Sequence, residues 1–219
     1  EPQLKWKTFA KNFLLVCKHY KISEVVLLGA LLADIPHSIT VPVSGTSSNA
    51  EVRERLQEMD LHNSRYEGPT GIVGVIQDAC RRAGIPASSI WAAAPHYLAA
   101  TPNIKVTSAL LTYLNVFLSF DLDLNEIQSE AIRFEEQISA LVARDPEASE
   151  YVRKLEQQVA EMEDEDEDED EEGKREHNPD KPVNTGPLPS ADSLIRGVEE
   201  LLRQQRESNH KQNDDEDDA

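Results

Sequence analysis

Apolar side chains recur at three- and four-residue intervals through Phe9, Phe13, Val16, Cys17 and Tyr20, which predicts a helix from Gln3 to Tyr20 with those residues inward. After Lys21 the run VVLLGALLA, Val25 to Ala33, is apolar without alternation, the pattern of a strand covered on both faces in a parallel sheet. A polar loop follows from Asp34 to Thr40, then a short extended piece, Ile39 to Val43, and a small-residue turn, Ser44 to Asn49. Asn49 or Ser48 can cap a helix through Met59, and Ser64 to Glu67 is a short strand candidate. The next helix opens at Pro69 or Thr70, closes at Gly84 and Pro86, and turns Ile72, Val73, Ile76, Ala79, Cys80 and Ala83 inward. Ser89 to Ala94 reads as a second buried strand, ending at Pro95, His96 and Tyr97. Strands alternating with helices predict an open α/β sheet of mostly parallel strands.

Helical periods continue without further strands. Val106, Ala109, Leu110, Tyr113, Leu114 and Phe117 form one stripe, and Ile127, Ala131, Phe134, Ile138 and Leu141 form another. Asp145 and Pro146, a cap and a first-turn proline, precede a third set at Val152, Leu155, Val159 and Met162, so residues 121–162 read as a helical hairpin. Glu161 to Glu172 is acidic at eleven of twelve positions, which marks 163–187 as a disordered acidic linker. Residues 188–207 contain a short amphipathic helix capped by Ser190, whose Leu194, Val198 and Leu201 are candidates for docking, because so short a helix is marginal alone. Residues 208–219 form a polar, acidic tail, and 1–120 make the α/β domain. The chain goes almost at once into a helix at Gln3, so the domain is expected to lack its first strands.

Charge sharpens this division. Residues 1–120 carry 11 Lys and Arg against 9 Asp and Glu, and residues 121–219 carry 11 against 32, so net charges near +2 and −21 make up the total of −19. A field of that sign repels phosphate backbones and anionic membranes, so neither nucleic acid nor membrane is an expected partner. No apolar run approaches the roughly 20 residues of a membrane span. Cys17 and Cys80 fall on apolar stripes, where cysteine packs as a small hydrophobe, and a reducing cytoplasm is the simplest compartment.

Three polar clusters each follow an apolar strand candidate: Asp34 with His37, Arg65 with Tyr66, Glu67 and Thr70, and His96 with Tyr97. Ligands of open α/β sheets bind outside the carboxyl ends of the strands, so these clusters could converge on one rim. The turn Tyr66 to Ile76, with Gly68, Gly71 and Gly74, adds free amides at a helix start where an anion or another chain can sit. The candidate ligand or partner residues are therefore His37, Arg65, Tyr66, Glu67, Gly68, Thr70, Gly71, His96 and Tyr97. Polar loops after strands are ordinary in such folds, and the glycines also serve close packing of a helix on the sheet. The chain has no GxxxxGK[ST], GxSxG, HExxH or CxxC motif, so no catalytic residue, cofactor or metal is expected.

Three blocks in order, GALLADIPH from Gly29 to His37, RYEGPTGIVGVIQDACRRAGIP from Arg65 to Pro86, and IWAAAPHYLAATPN from Ile90 to Asn103, give the chain its likeness to a known family. It resembles the bacterial, in particular the actinobacterial, branch of the second proteasome assembly chaperone family. The resemblance covers Glu1 to about Phe120 and continues more weakly through the hairpin and LPSADSL, Leu188 to Leu194. It implies a three-layer α/β/α fold similar to nucleoside phosphorylases, with opening strands that are missing here, and no established catalytic residues. It also implies a homo-oligomer, a trimer among the options, with proteasome subunits as candidate partners. Relatives that dock on proteasome rings often end in a hydrophobic-tyrosine tail, whereas this chain ends DDEDDA, Asp214 to Ala219. The expected function is a non-enzymatic, self-associating assembly or scaffold factor. The alternative is a protein that binds an anionic or nucleoside-like small molecule, or an enzyme acting on one, at the strand-end rim.

Overall fold

A computed structural model describes residues 4–62, 71–99, 102–171, 195–197 and 200, with the backbone alone over 162–171. The strand candidate at Ser64 to Glu67, the residues Arg65, Tyr66, Glu67, Gly68 and Thr70, the docking residues Leu194, Val198 and Leu201, and most of the acidic linker lie outside the described residues. The chain forms two compact units. One draws on Glu1–Leu31, Val41–Ala93 and Val106–Glu126, the other on Leu32–Thr40, Ala94–Lys105 and Ile127–Ala219.

The first unit is built on three strands, β1 (Val25–Ala33), β2 (Val43–Ser47) and β3 (Ala87–Pro95), in the order β1-β3-β2. β3 lies in the centre and is buried along most of its length, as its apolar sequence predicts. The Val25 amide donates to the Pro86 carbonyl at 3.0 Å, so β1 and β3 begin level with one another. β2 runs antiparallel to β3, with Val43 opposite Ala92 and Gly45 opposite Ile90. That ladder departs from the mostly parallel sheet expected of the sequence. The predicted turn at Ser44 to Asn49 is in fact largely strand, because Gly45 has no side chain and can lie against Leu56 and Leu61. A Cβ there would stand 3.2 Å from both, so a residue with weak strand propensity is selected by packing.

Alternation of side chains along the strands places helices on both faces of this sheet. Val25, Leu27 and Ala87 pack with α1 (Trp6–His19) and α3 (Ile72–Ala83), where Ala10, Cys17, Ile76 and Cys80 are buried. Val26, Val43 and Ile90 pack on the other side with Val52 and Leu56 of α2 (Ala50–Glu58) and Leu110, Tyr113 and Phe117 of α4 (Ile104–Leu118). Asn49 caps α2 by accepting from the Val52 amide at 3.0 Å, and Gly84, at φ 70°, ends α3 in the left-handed conformation that glycine adopts freely. Arg55 fastens α2 to its surroundings: it donates to Glu24 at 2.9 Å and to the Phe117 carbonyl at 2.8 Å, with its guanidinium over the Phe117 ring.

Two predicted faces differ from those observed. On α1 the small residues Ala10 and Cys17 face α3, which leaves Phe9, Val16 and Tyr20 exposed; on α3 Ala83 is exposed rather than inward. Close packing of α1 on α3 favours small side chains at the contact, and that displaces the larger stripe to the flank. β1 was expected to be covered on both faces, yet Leu28 and Leu32 are 43% and 61% exposed, because β1 is an edge strand of the described sheet.

The second unit is organised by α5 (Asn125–Val142) and α6 (Pro146–Glu171), a helical hairpin broken at 143–145. The Asp145 carboxylate accepts from the Glu147 amide at 2.9 Å and caps α6, as Asp followed by Pro predicts. Phe134, Ile138 and Val142 of α5 bury against Ala148, Tyr151, Val152 and Leu155 of α6, together with Tyr97 and Leu98. Ile195 packs against the same cluster, and Gly197 lies close to Leu141. The acidic linker was expected from Glu163 onward, but the backbone of α6 stays helical to Glu171, since extending an established helix costs far less than starting one.

Candidate functional site

The second unit encloses a polar cluster that its apolar core would not tolerate unpaired. It starts from Pro36 and His37, in the loop after β1, and from His96 and Tyr97, in a 3-10 turn, His96–Leu98, that follows β3. His37 is 5% exposed and Tyr97 is 1% exposed. The His37 amide donates to the Tyr97 hydroxyl oxygen at 2.7 Å, and Nδ1 of the same histidine lies 2.9 Å from that oxygen. Its Nε2 lies 3.1 Å from Oγ of Ser139 on α5.

These contacts fix the tautomer. The buried Tyr97 hydroxyl proton has one acceptor within reach among the described residues, His37 Nδ1, so the ring proton sits on Nε2 and is donated to Ser139. Burial holds His37 below its ordinary pKa, with Lys105 adding to the depression and Glu135 and Glu156 opposing it, so the ring is neutral. Burial likewise drives the Tyr97 phenol well above its ordinary value. A neutral imidazole that gives a proton to Ser139 is not placed to take one from it. The trio therefore reads as a brace between loop and helix, not as a base beside an activated nucleophile.

Lys105 closes the loop from the other side. Its ammonium donates to the carbonyls of His37 and Ile39 at 2.6 and 2.7 Å and pairs with Glu135 of α5 at 2.5 Å. Ser38 donates to Glu156 of α6 at 2.6 Å. Beside this, His96 Nε2 and the Tyr151 hydroxyl are 2.8 Å apart, and burial raises the Tyr151 phenol, with Asp34 adding to it. His96 Nδ1 is 3.1 Å from an Asp34 oxygen, yet it counts as unsatisfied by hydrogen-bond geometry, so the approach is short without being aligned. The Tyr97 ring stands edge-on to His37, His96 and Tyr151, with centroids 5.5 to 6.1 Å away.

An open cleft of about 210 Å³ adjoins the brace, lined among others by His37, Ser139, Ser149, Arg153 and Glu156. It offers hydroxyls, one carboxylate and one guanidinium, groups that suit a small polar ligand. Among the described residues no group of three or more His, Cys, Asp or Glu side chains could hold a metal ion, and no helix is long and apolar enough to cross a membrane.

Of the candidate residues, the structure brings together His37, His96 and Tyr97, with Asp34 beside them. Gly71 is the N-cap of α3 in the first unit, and among the described residues nothing lies within 4 Å of where its Cβ would be. Sequence reasoning missed Lys105, Glu135, Ser139, Tyr151 and Glu156, which complete the cluster. Tyr151 carried a usable signal: a phenol beside the apolar residues of a helix seam needs a hydrogen-bond partner when buried. Ser139 and Lys105 carried none, since a polar residue in a helix reads as solvated until its neighbours are known.

The model of the PAC2 family matches residues 1–142. A PAC2 family protein from Streptomyces avermitilis is 42% identical, with TM-score 0.61, and the match covers 69% of this chain and 63% of that one. A proteasome-assembly chaperone homologue from Mycobacterium tuberculosis is 44% identical, with TM-score 0.60 and the same coverage of 69% and 63%. An archaeal homologue of proteasome-assembly chaperone from Pyrococcus furiosus, 20% identical with TM-score 0.52, covers 63% of this chain and 60% of that one and shares the fold. The chain thus spans less than two thirds of the length of these relatives. No curated protein matches it.

Proposed function

The chain belongs to the PAC2 family, and from that premise we propose that it is a non-enzymatic assembly factor that associates with itself and acts on proteasome subunits in the cytoplasm. The observation that carries this reading is the 44% identity to the mycobacterial proteasome-assembly chaperone homologue. Two features of the chain support it. Large apolar side chains stand exposed on α1 and β1, Phe9, Val16, Tyr20, Leu28 and Leu32 among them, as on proteins that bury surface against a partner. Among the described residues of the second unit, His37 and Ser139 meet and are arranged as a brace. In this reading the fold is the phosphorylase-like three-layer arrangement completed by strands supplied outside the described residues. Arg65, Tyr66, Glu67, Gly68, Thr70 and Gly71 are the proposed partner-binding residues, and Leu194, Val198 and Leu201 the proposed docking residues. The test is affinity capture of the chain from its native host, with proteasome assembly followed in a deletion strain. Recovery of proteasome subunits and a slowed assembly are expected. Absence of both would overturn the proposal.

The cleft beside His37 and Ser139 favours one second reading, a binder of a small anionic or nucleoside-like ligand. A thermal-shift panel of phosphate, nucleosides and carboxylates decides it, since a ligand at about 100 times its Kd stabilises by about 2.7 kcal/mol. No shift with any of them would remove this reading.

A further inference from the structure

We infer that the cleft of the hairpin unit seats a primary ammonium group on an aliphatic stem, a lysine side chain or a free alkylamine, with Glu156 as its counter-charge. This goes beyond the readings above and gives the cleft an occupant opposite in sign to an anion. Size already narrows the choice. At about 210 Å³ the cleft is smaller than the roughly 300–1,000 Å³ that encloses a drug-sized ligand, so one extended side chain suits it better than a nucleoside.

Charge decides the sign of the occupant. Arg153, which lines the cleft, donates to Glu150 through Nη2 at 2.7 and 2.8 Å and through Nε at 3.1 Å, and these bonds hold the Glu150 carboxyl below its ordinary range. Lys105, which holds the His37 carbonyl, pairs with Glu135. Both cations therefore have carboxylate partners, and His37 is neutral through burial. Glu156 differs: its Oε1 accepts from Ser38 at 2.6 Å, which ties the carboxylate to the loop, and no cation pairs with it among the described residues. Its charge opposes the lowering of the His37 pKa, so it stands within electrostatic reach of that ring.

The remaining lining groups suit an ammonium on a stem. Ser38 gives its hydroxyl proton to Glu156 and Ser139 accepts from His37, and each oxygen keeps a lone pair for a further donor. An ammonium group carries three donors and no acceptor, which Glu156, Ser38 and Ser139 can share. Val142, Ala143 and Val152 supply an apolar wall for the methylenes, as protein surfaces do for long cationic side chains. At longer range, 32 acidic residues against 11 basic ones in 121–219 draw cations toward this part of the chain.

The experiment is a titration of the full chain, followed by backbone amide shifts, with butylammonium, Nα-acetyl-lysine methylamide, the uncharged Nα-acetyl-norleucine methylamide, phosphate and adenosine. Both ammonium compounds are expected to shift the amides of Ser38, Ser139 and Glu156 saturably at millimolar concentration, and the norleucine compound is not. Glu156→Gln should weaken that binding about tenfold, as loss of a charged hydrogen-bond acceptor does. Glu161→Gln, which removes an equal charge from α6 outside the cleft, should leave it within about twofold. Tighter binding of the lysine compound than of butylammonium assigns the cleft to a partner's side chain, and the reverse order to a free amine; either result upholds the inference. Equal losses in the two variants would report only the general acidic field and overturn it. Equal binding of the norleucine compound, or no saturable shift at the three amides, overturns it as well. A response to phosphate or adenosine in place of the amines overturns it while upholding the small-ligand reading above. Should Glu156→Gln fail to fold in a circular dichroism melt, the lysine and norleucine compounds compared on the wild type decide.

Discussion

The sheet unit and the hairpin unit both bury an apolar core, but they locate it by different means. In the sheet unit small residues act as keys: Gly29 accepts the Trp91 ring, Gly45 accepts Leu56 and Leu61, and Ala10 with Cys17 lets α1 close on α3. At these contacts position is set by shape, and a single added methyl would be felt. In the hairpin unit the apolar seam is threaded by His37, Tyr97, His96 and Tyr151, with Lys105 satisfying loop carbonyls. Position there is set by hydrogen bonds whose loss would leave buried groups unpaired. Shape keys are insensitive to pH, whereas a network that holds a neutral histidine is not.

The largest effect is expected at the seam that every element of the hairpin unit shares. Leu155→Ala, at a position with no exposure, should cost about 2–5 kcal/mol in urea denaturation. A loss below about 1 kcal/mol would mean that the cluster around Tyr97 and Ile138 is not packed as described.

Next comes the shape key of the sheet unit. A Cβ at Gly29 would collide with the Trp91 ring, so Gly29→Ala should cost about 1–3 kcal/mol through overpacking. Trp91→Ala in the same chain should abolish the extra cost of Gly29→Ala, a coupling that a double-mutant cycle reads directly. Additive losses would show that the ring does not lie over Gly29.

The smallest effect separates the two units by pH. The folded state holds His37 below its ordinary value of 6.5, so the unfolded chain binds the proton more readily. The stabilising contribution is therefore complete above pH 6.5 and is lost progressively as pH falls through 6.5 toward the lower folded value. Urea midpoints measured from pH 7.5 to 5 should fall for the wild type and fall less for His37→Gln, which keeps hydrogen-bonding groups without titrating. Equal slopes would place the proton uptake elsewhere, while Gly29→Ala should leave the slope of the wild type unchanged.

Much of this was legible from periodicity. The period of 3.6 residues in 127–141 and 152–162, with Asp145 and Pro146 between, specified the hairpin and its cap, and Asn49 and Gly84 marked helix ends because few residues satisfy those backbone positions. The apolar runs at Val25 to Ala33 and Ser89 to Ala94 marked β1 and β3. Of the candidate residues, His37, His96 and Tyr97 were singled out by their place after strands, and the structure brings these three together.

The rest depended on neighbours distant in sequence. β2 is a strand because β3 pairs with it and Leu56 and Leu61 leave room for a glycine, neither of which a local window contains. The face that α1 buries followed from how closely Ala10 and Cys17 could approach α3, not from where its largest hydrophobes lie. Ser139, 102 positions from His37, entered the site only when α5 was packed. By itself, then, the sequence determined which segments form the helices and the apolar strands β1 and β3, and which residues cap α2, α3 and α6, since capping and hydrophobic period are local energies. Only the tertiary structure decided strand direction, the buried face of α1 and the proton's place on His37, because each is set by contacts between residues that the chain keeps far apart.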